Sequence, residues 1–88
     1  MKEAAAIRGI PDIIGCYNGR MFAFEVKRAK SEVYYKDGRE KISGRTVLQK
    51  YNLDKIKKAG GYACFLYPEN YQEIFRELFA HHINSMED

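Results

Sequence analysis

Residues 9–28 read Gly9-Ile10-Pro11-Asp12-Ile13-Ile14-Gly15-Cys16-Tyr17-Asn18-Gly19-Arg20-Met21-Phe22-Ala23-Phe24-Glu25-Val26-Lys27-Arg28. Two apolar-rich runs, Ile10 to Tyr17 and Arg20 to Arg28, are separated by Asn18-Gly19. Asn-Gly is the strongest two-residue hairpin signal, because a type I′ turn needs positive φ at both central positions. The stretch therefore predicts an antiparallel hairpin, and the turn sets its register. With a two-residue loop, Tyr17 faces Arg20, Ile14 faces Ala23 and Asp12 faces Glu25. Facing residues point to the same side of a sheet with Cβ atoms ~4.5–5.5 Å apart. Glu25 and Lys27 are two apart and share that side. Turn chemistry thus gathers Asp12, Glu25 and Lys27 on one face.

Like charges directly opposite each other are unfavourable in a sheet. A hard divalent cation would reverse the sign of that interaction. Mg²⁺ typically takes one or two carboxylates, keeps several waters and accepts phosphate oxygens. Lys27 could orient a water or stabilise charge on a phosphate, which completes the parts needed for metal-assisted phosphodiester hydrolysis. The plainer alternative is that Asp12 belongs to the entry turn after Pro11, and that Glu25 and Lys27 form an exposed pair. Phe22, Phe24 and Val26 argue for a buried strand, where idle charges are costly.

Downstream, Val33-Tyr34-Tyr35 and Glu40-Lys41-Ile42 flank Asp37-Gly38 and predict a second, polar, protruding hairpin over Glu32 to Ile42. A helix is expected from Val47 to about Ala59, capped by Thr46 and ended by Gly60-Gly61. Its apolar arc is Leu48, Leu53, Ile56 and Ala59, with Gln49 inside it. Gln49 either faces the sheet functionally or closes a Thr46-x-x-Gln49 capping box. The helix N-terminus also offers free N–H groups to a phosphate. The run Tyr62 to Tyr67 reads as a strand buried on both faces and stopped by Pro68. A last helix follows from about Tyr71 to Asn84, with Asn70 as N-cap and Glu73 completing a capping box. Tyr71, Ile74, Phe75, Leu78, Phe79 and His82 share its apolar side.

The whole chain has 88 residues, 45% of them apolar and 31% charged. Those are globular values, and they fit one small α/β domain with a thin core. No apolar run approaches the ~20 residues that span a bilayer, and the opening residues lack the pattern of a signal peptide. Cys16 and Cys64 read as buried free thiols of a reducing cytoplasm. Residues 1–60 carry 14 Lys+Arg against 7 Asp+Glu, whereas residues 61–88 carry 1 against 5. A basic body beside an acidic tail suggests a polyanionic partner. His81 and His82 are adjacent, point ~100° apart on a helix and make a poor metal pair. Tyr51 is expected in the core.

Gly9-Ile10-Pro11-Asp12 followed by Glu25-Val26-Lys27 resembles the signature of the PD-(D/E)xK nucleases. With Leu48-Gln49 opening a helix and Gly60-Gly61-Tyr62 before a strand, the chain looks most like the VRR-NUC (virus-type replication-repair nuclease) branch, over roughly residues 9–68. The resemblance implies a small restriction-endonuclease-like core, a mixed sheet with an antiparallel hairpin flanked by helices. It implies that Asp12, Glu25 and the Val26 carbonyl hold Mg²⁺ or Mn²⁺, that Lys27 is the catalytic lysine, and that Gln49 sits at the edge of the site. The family has an acidic residue on an N-terminal helix before the Pro-Asp motif, and Glu3 is the one candidate here.

The activity implied is endonucleolytic hydrolysis of DNA phosphodiesters, selective for branched substrates such as Holliday junctions, in the cytoplasm of a bacterial or phage-infected cell. The alternative is a catalytically inactive nucleic-acid-binding module of the same fold. Small stand-alone members resemble junction resolvases that act as homodimers, and a short domain with an open sheet edge favours the same arrangement. Arg8, Arg28, Lys30, Arg45 and Lys50 are the candidate DNA contacts. Residues 29–45 form an inserted basic loop or hairpin, which either embraces DNA or serves as a solvated or dimer-contact surface. Residues 69–84 supply the C-terminal helix of a single domain spanning 1–88.

Overall fold

A computed structural model describes residues 10–41 and 44–87, the last eight as backbone. The hairpin forms as the turn chemistry demands. Strand β1 (Ile13–Tyr17) and strand β2 (Arg20–Val26) are antiparallel, with Tyr17 opposite Arg20 and Ile14 opposite Ala23. Asn18 and Gly19 both have positive φ, 55° and 79°, the backbone a type I′ turn requires. Gly15 is favoured for a different reason. A Cβ there would lie 2.4 Å from the ring of Phe22, its cross-strand partner.

After β2 the chain makes a 3₁₀ turn (Lys30–Glu32) and a short excursion, then helix α1 (Gly44–Lys58), strand β3 (Tyr62–Leu66) and helix α2 (Tyr71–Glu87). β3 lies parallel to β2, pairing Ala23 with Ala63 and Glu25 with Phe65, in the order β1-β2-β3. The fold is thus α/β with a mixed sheet, and α1 is the crossover helix that a parallel pair needs.

One face of the sheet presents Ala23 and Ala63, whose small side chains let α1 approach closely. Leu53, 2% exposed, fills the contact, with Ile56 and Phe65 around it. Burying a leucine this fully contributes roughly 1.5–3 kcal/mol. The opposite face, by strand alternation, presents Phe22 and Phe24. There the aromatic rings of α2 close a second cluster: Phe24 meets Phe75 at 6.0 Å, and Tyr17 meets Phe79 edge-on at 4.8 Å. α1 ends in a Schellman motif. Gly60 has φ 96°, its N–H donates to Lys57 O, and Gly61 N–H donates to Ile56 O at 2.9 Å.

Several expectations need correction. α1 begins at Gly44, three residues before Val47, so Thr46 lies inside its first turn and cannot be the N-cap. Asn70 does not cap α2 through its side chain. Its Oδ1 accepts from Tyr67 N–H at 2.8 Å and its Nδ2 donates to Phe65 O at 3.0 Å, which ties the β3–α2 turn together. α2 runs over 71–87 rather than 69–84. Cys16 is exposed, because α1 packs on β2 and β3 and leaves its side of β1 open. Tyr51 is 58% exposed on the outer side of α1, not in the core. β3 is an edge strand among the described residues, with Ala63 and Leu66 buried and the others half-buried. Val26, expected to be buried, is exposed. The second hairpin shrinks to a single bridge, Tyr34 with Glu40. Ile42 and the side chains of His81 and His82 lie outside the described residues.

Candidate active site

The register that pairs Ile13 with Phe24 would put Pro11 opposite Val26. Proline has no N–H, so the ladder offers no donor to the Val26 carbonyl. The chain bends at Asp12, and Asp12 Oδ2 accepts the Val26 N–H at 2.9 Å in place of a backbone carbonyl. In extended backbone the N–H and C=O of one residue share an edge. The Val26 carbonyl therefore faces the side on which Asp12 sits, while Lys27 N–H turns the other way to Leu66 O at 2.8 Å.

Glu25 is 3% exposed, beneath the first turns of α1. Its Oε1 is buried without a hydrogen-bond partner. Burial, then the nearby charge of Asp12, push its carboxyl up to about 7, against the pull of Lys27 and Arg45. A carboxyl so held sits half-protonated near neutrality, an uncommon state that marks functional sites.

Gln49 is 8% exposed, and its Oε1 is also buried and unpartnered. The capping-box reading of this residue fails, since Thr46 is itself helical. Gln49 and Leu53, one turn apart, form the buried stripe of α1, and Leu48 lies off to its exposed side. The polar residue therefore occupies a packing position facing Glu25 across a cleft of about 620 Å³. Ile10, Asp12, Glu25, Arg45, Leu48 and Gln49 line this cleft. Its floor is the sheet and one wall is the N-terminal end of α1, where the helix dipole is positive.

Lys27 follows β2 on the Glu25 side. It is half-buried, with Nζ 5.7 Å from the centre of the Phe65 ring, and Phe65 is the register partner of Glu25. It adjoins the cleft without lining it; its own neighbours are Val26, Leu66, Tyr67, Pro68 and Tyr71, around an apolar groove.

The donor set suits a hard divalent cation. Asp12 and Glu25 offer carboxylate oxygens, Gln49 an amide oxygen and Val26 a carbonyl. Two of these oxygens are buried with no partner, which costs roughly 1–3 kcal/mol each unless something compensates. Among the described residues no cluster of three His, Cys, Asp or Glu occurs. A pair of carboxylates with carbonyl oxygens is the Mg²⁺ pattern rather than the zinc one. Arg45 and the α1 N-terminus add positive charge on the opposite wall, suited to a phosphate.

The other candidates are scattered. Arg28 is exposed and pairs with Glu32 at 3.7 Å. Lys30 is exposed on the 3₁₀ turn. Lys50 is drawn inward by Glu40 at 3.3 Å and Asp54 at 3.6 Å. Glu3 and Arg8 lie outside the described residues. Cys64, expected to be buried, is only half-buried, and burial still pushes its thiol up to about 11, away from the thiolate form that a nucleophile needs. Sequence reasoning missed Ile10 and Leu48 as cleft walls, and nothing in the local pattern could have separated them from core residues. No helix among the described residues is long and apolar enough to cross a membrane. No family model, curated protein or solved structure matches this chain.

Proposed function

We propose that this chain is a metal-dependent endonuclease of the PD-(D/E)xK type, acting on DNA phosphodiesters and selective for branched structures. One observation carries the reading. Glu25 and Gln49, each with a buried, unpartnered oxygen, line one cleft beside Asp12, an arrangement that a cation would complete.

Asp12, Glu25, Gln49 and the Val26 carbonyl would hold Mg²⁺ or Mn²⁺, which supplies Lewis acidity toward a phosphoryl oxygen and acidifies water. The protein's own groups do the rest. Asp12 is fixed by the Val26 N–H and keeps its carboxylate oriented. Glu25 must give up its proton for the site to be fully charged. Lys27 brings a cation to the Glu25 side of the sheet, where it balances charge on a phosphate in the transition state. Arg45 and the α1 N-terminus position the phosphate from the opposite wall.

The test is a cleavage assay with Mg²⁺ or Mn²⁺ on a four-way junction, a linear duplex and a single strand. Cutting is expected to need the metal and to disappear in Lys27→Ala with the fold intact. Full activity in that variant would sink the assignment. Absence of cutting on every substrate, with salt-sensitive DNA binding retained, would leave a binding module.

A further inference from the structure

Between β2 and α1 the chain makes a well-anchored excursion. Val33 is 2% exposed and anchors it in the body. Lys41 N–H donates to Val33 O at 2.7 Å, and Tyr35 N–H donates to Arg39 O at 2.8 Å. Gly38, at φ 92°, closes the tip by donating to Tyr35 O. Lys30 N–H donates to Glu69 at 3.2 Å, and the Lys50–Glu40 ion pair ties the segment to α1.

At the tip Tyr35 is 49% exposed. The Arg39 guanidinium lies 5.1 Å and the Lys41 ammonium 5.2 Å from the centre of its ring. Asp37 holds Arg39 in place through its Nε at 2.7 Å and its N–H at 3.1 Å. Beside the ring is a concavity of about 340 Å³, walled by Lys30, Tyr34, Tyr35 and Lys36, with the Glu69 carboxylate at its edge. The acidic groups nearby are engaged: Glu32 by Arg28, Asp37 by Arg39, Glu40 by Lys50, and Glu69 by the Lys30 amide. Lys30, Lys36 and Lys41 enter none of the ion pairs among the described residues. The tip is thus a half-exposed aromatic ring with two cations over it and two further lysines, Lys30 and Lys36, that enter no ion pair beside it.

We infer that Lys30–Lys41 binds an unpaired nucleotide of single-stranded or locally opened nucleic acid, Tyr35 stacking on the base while Lys30, Lys36 and Lys41 take the flanking phosphates. Cations alone would serve a duplex backbone. Within a nucleic-acid partner an exposed ring can stack only on a base outside its own stack, because paired bases already cover each other's faces. Lys30 lies three residues beyond Lys27, a chain reach of at most about 11 Å. The Lys30 end of this surface therefore adjoins the candidate catalytic lysine, and on the nuclease reading cutting falls near unpaired DNA. The position of the cut rests on the nuclease reading; the binding does not.

The experiment is fluorescence anisotropy in EDTA with a labelled oligo(dT), a blunt duplex and the same duplex carrying a single-stranded flap. Oligo(dT) and flap are expected to bind more tightly than blunt duplex. Tyr35→Ala should weaken them roughly 5- to 100-fold, the range for losing one stacked base, with Tyr35→Trp restoring them. Lys36→Ala and Lys41→Ala should each lower the salt dependence by about 0.7 in log–log slope. Circular dichroism melts check that each variant folds. Unchanged oligo(dT) affinity in a folded Tyr35→Ala protein, or equal losses on duplex and single strand, overturns the proposal. So does equal competition by a polyglutamate peptide. Metal-dependent cutting of duplex with no affinity for oligo(dT) overturns it while leaving the nuclease reading intact; Tyr35-dependent oligo(dT) binding without cutting supports it and sinks that reading.

Discussion

Replacing Glu25 with Gln tests the charge logic of the cleft independently of any activity. The Glu25 carboxyl titrates at about 7 in the folded chain against an ordinary 4.5, mainly through burial. Unfolding releases it to water, where it ionises at its ordinary value. Below pH ~4.5 both states hold the proton and Glu25 carries no penalty. Between that pH and about 7 the unfolded state ionises first, and folding loses stability as pH rises. Above pH 7 the penalty is complete, and at 1.36 kcal/mol per pH unit it amounts to about 3 kcal/mol.

Glutamine is nearly isosteric and never ionises. In EDTA, Glu25→Gln is therefore expected to match the parent near pH 4, to exceed it by about 1 kcal/mol at pH 5 and by about 3 kcal/mol at pH 8. For a domain of this size that is a melting-point gain of ~10 °C or more. Urea denaturation at pH 5, 6, 7 and 8 would read it. Mn²⁺ should erase the difference by stabilising only the parent, with an affinity that rises with pH up to about 7 as Glu25 releases its proton. A stability difference between the two proteins that stays constant from pH 5 to 8 would refute the argument, since it would mean that Glu25 is not held protonated by its surroundings.

Gln49→Leu removes a buried, unpartnered oxygen from a packing position, so stability should hold or rise by about 1 kcal/mol. Calorimetry should show Mn²⁺ affinity falling roughly 10-fold or more in the same variant; wild-type affinity would remove Gln49 from the ligand set. Gly15→Ala drives a methyl group to within 2.4 Å of the Phe22 ring, and a loss of about 1–3 kcal/mol is expected. An unshifted denaturation midpoint would mean that the ring gives way freely. Sedimentation equilibrium at micromolar concentration should give the mass of two chains. β1 is an edge of the described sheet and exposes Ile13 and Ile14, and a single-chain mass would contradict the dimer.

The hairpin and its register were legible in two residues. Asn18-Gly19 admits positive φ at both positions, and the register it sets brings Asp12 to the Glu25 end of β2, where the bend after Pro11 turns its carboxylate onto the Val26 N–H. The glycine pair after α1 was equally local, since a Schellman end needs one left-handed residue beside the last turn. Signals that depend on which of several side chains reaches a backbone group did not transfer. Thr46-x-x-Gln49 has capping spacing, yet α1 starts at Gly44 and leaves Gln49 in the interior. Asn70 has the chemistry of a cap, but it turns back to Tyr67 and Phe65.

Burial was the larger unknown. Cys16 and Glu25 both come from hairpin strands with apolar neighbours, and they end in opposite environments. The reason lies in the crossover: α1 lies over β2 and β3, where Ala23 and Ala63 allow close approach, and leaves its side of β1 uncovered. Turn chemistry in adjacent residues set which groups meet. Only the path of α1 decided which of them leave water, and desolvation is what gives Glu25 its altered proton affinity and Gln49 its unpaired oxygen.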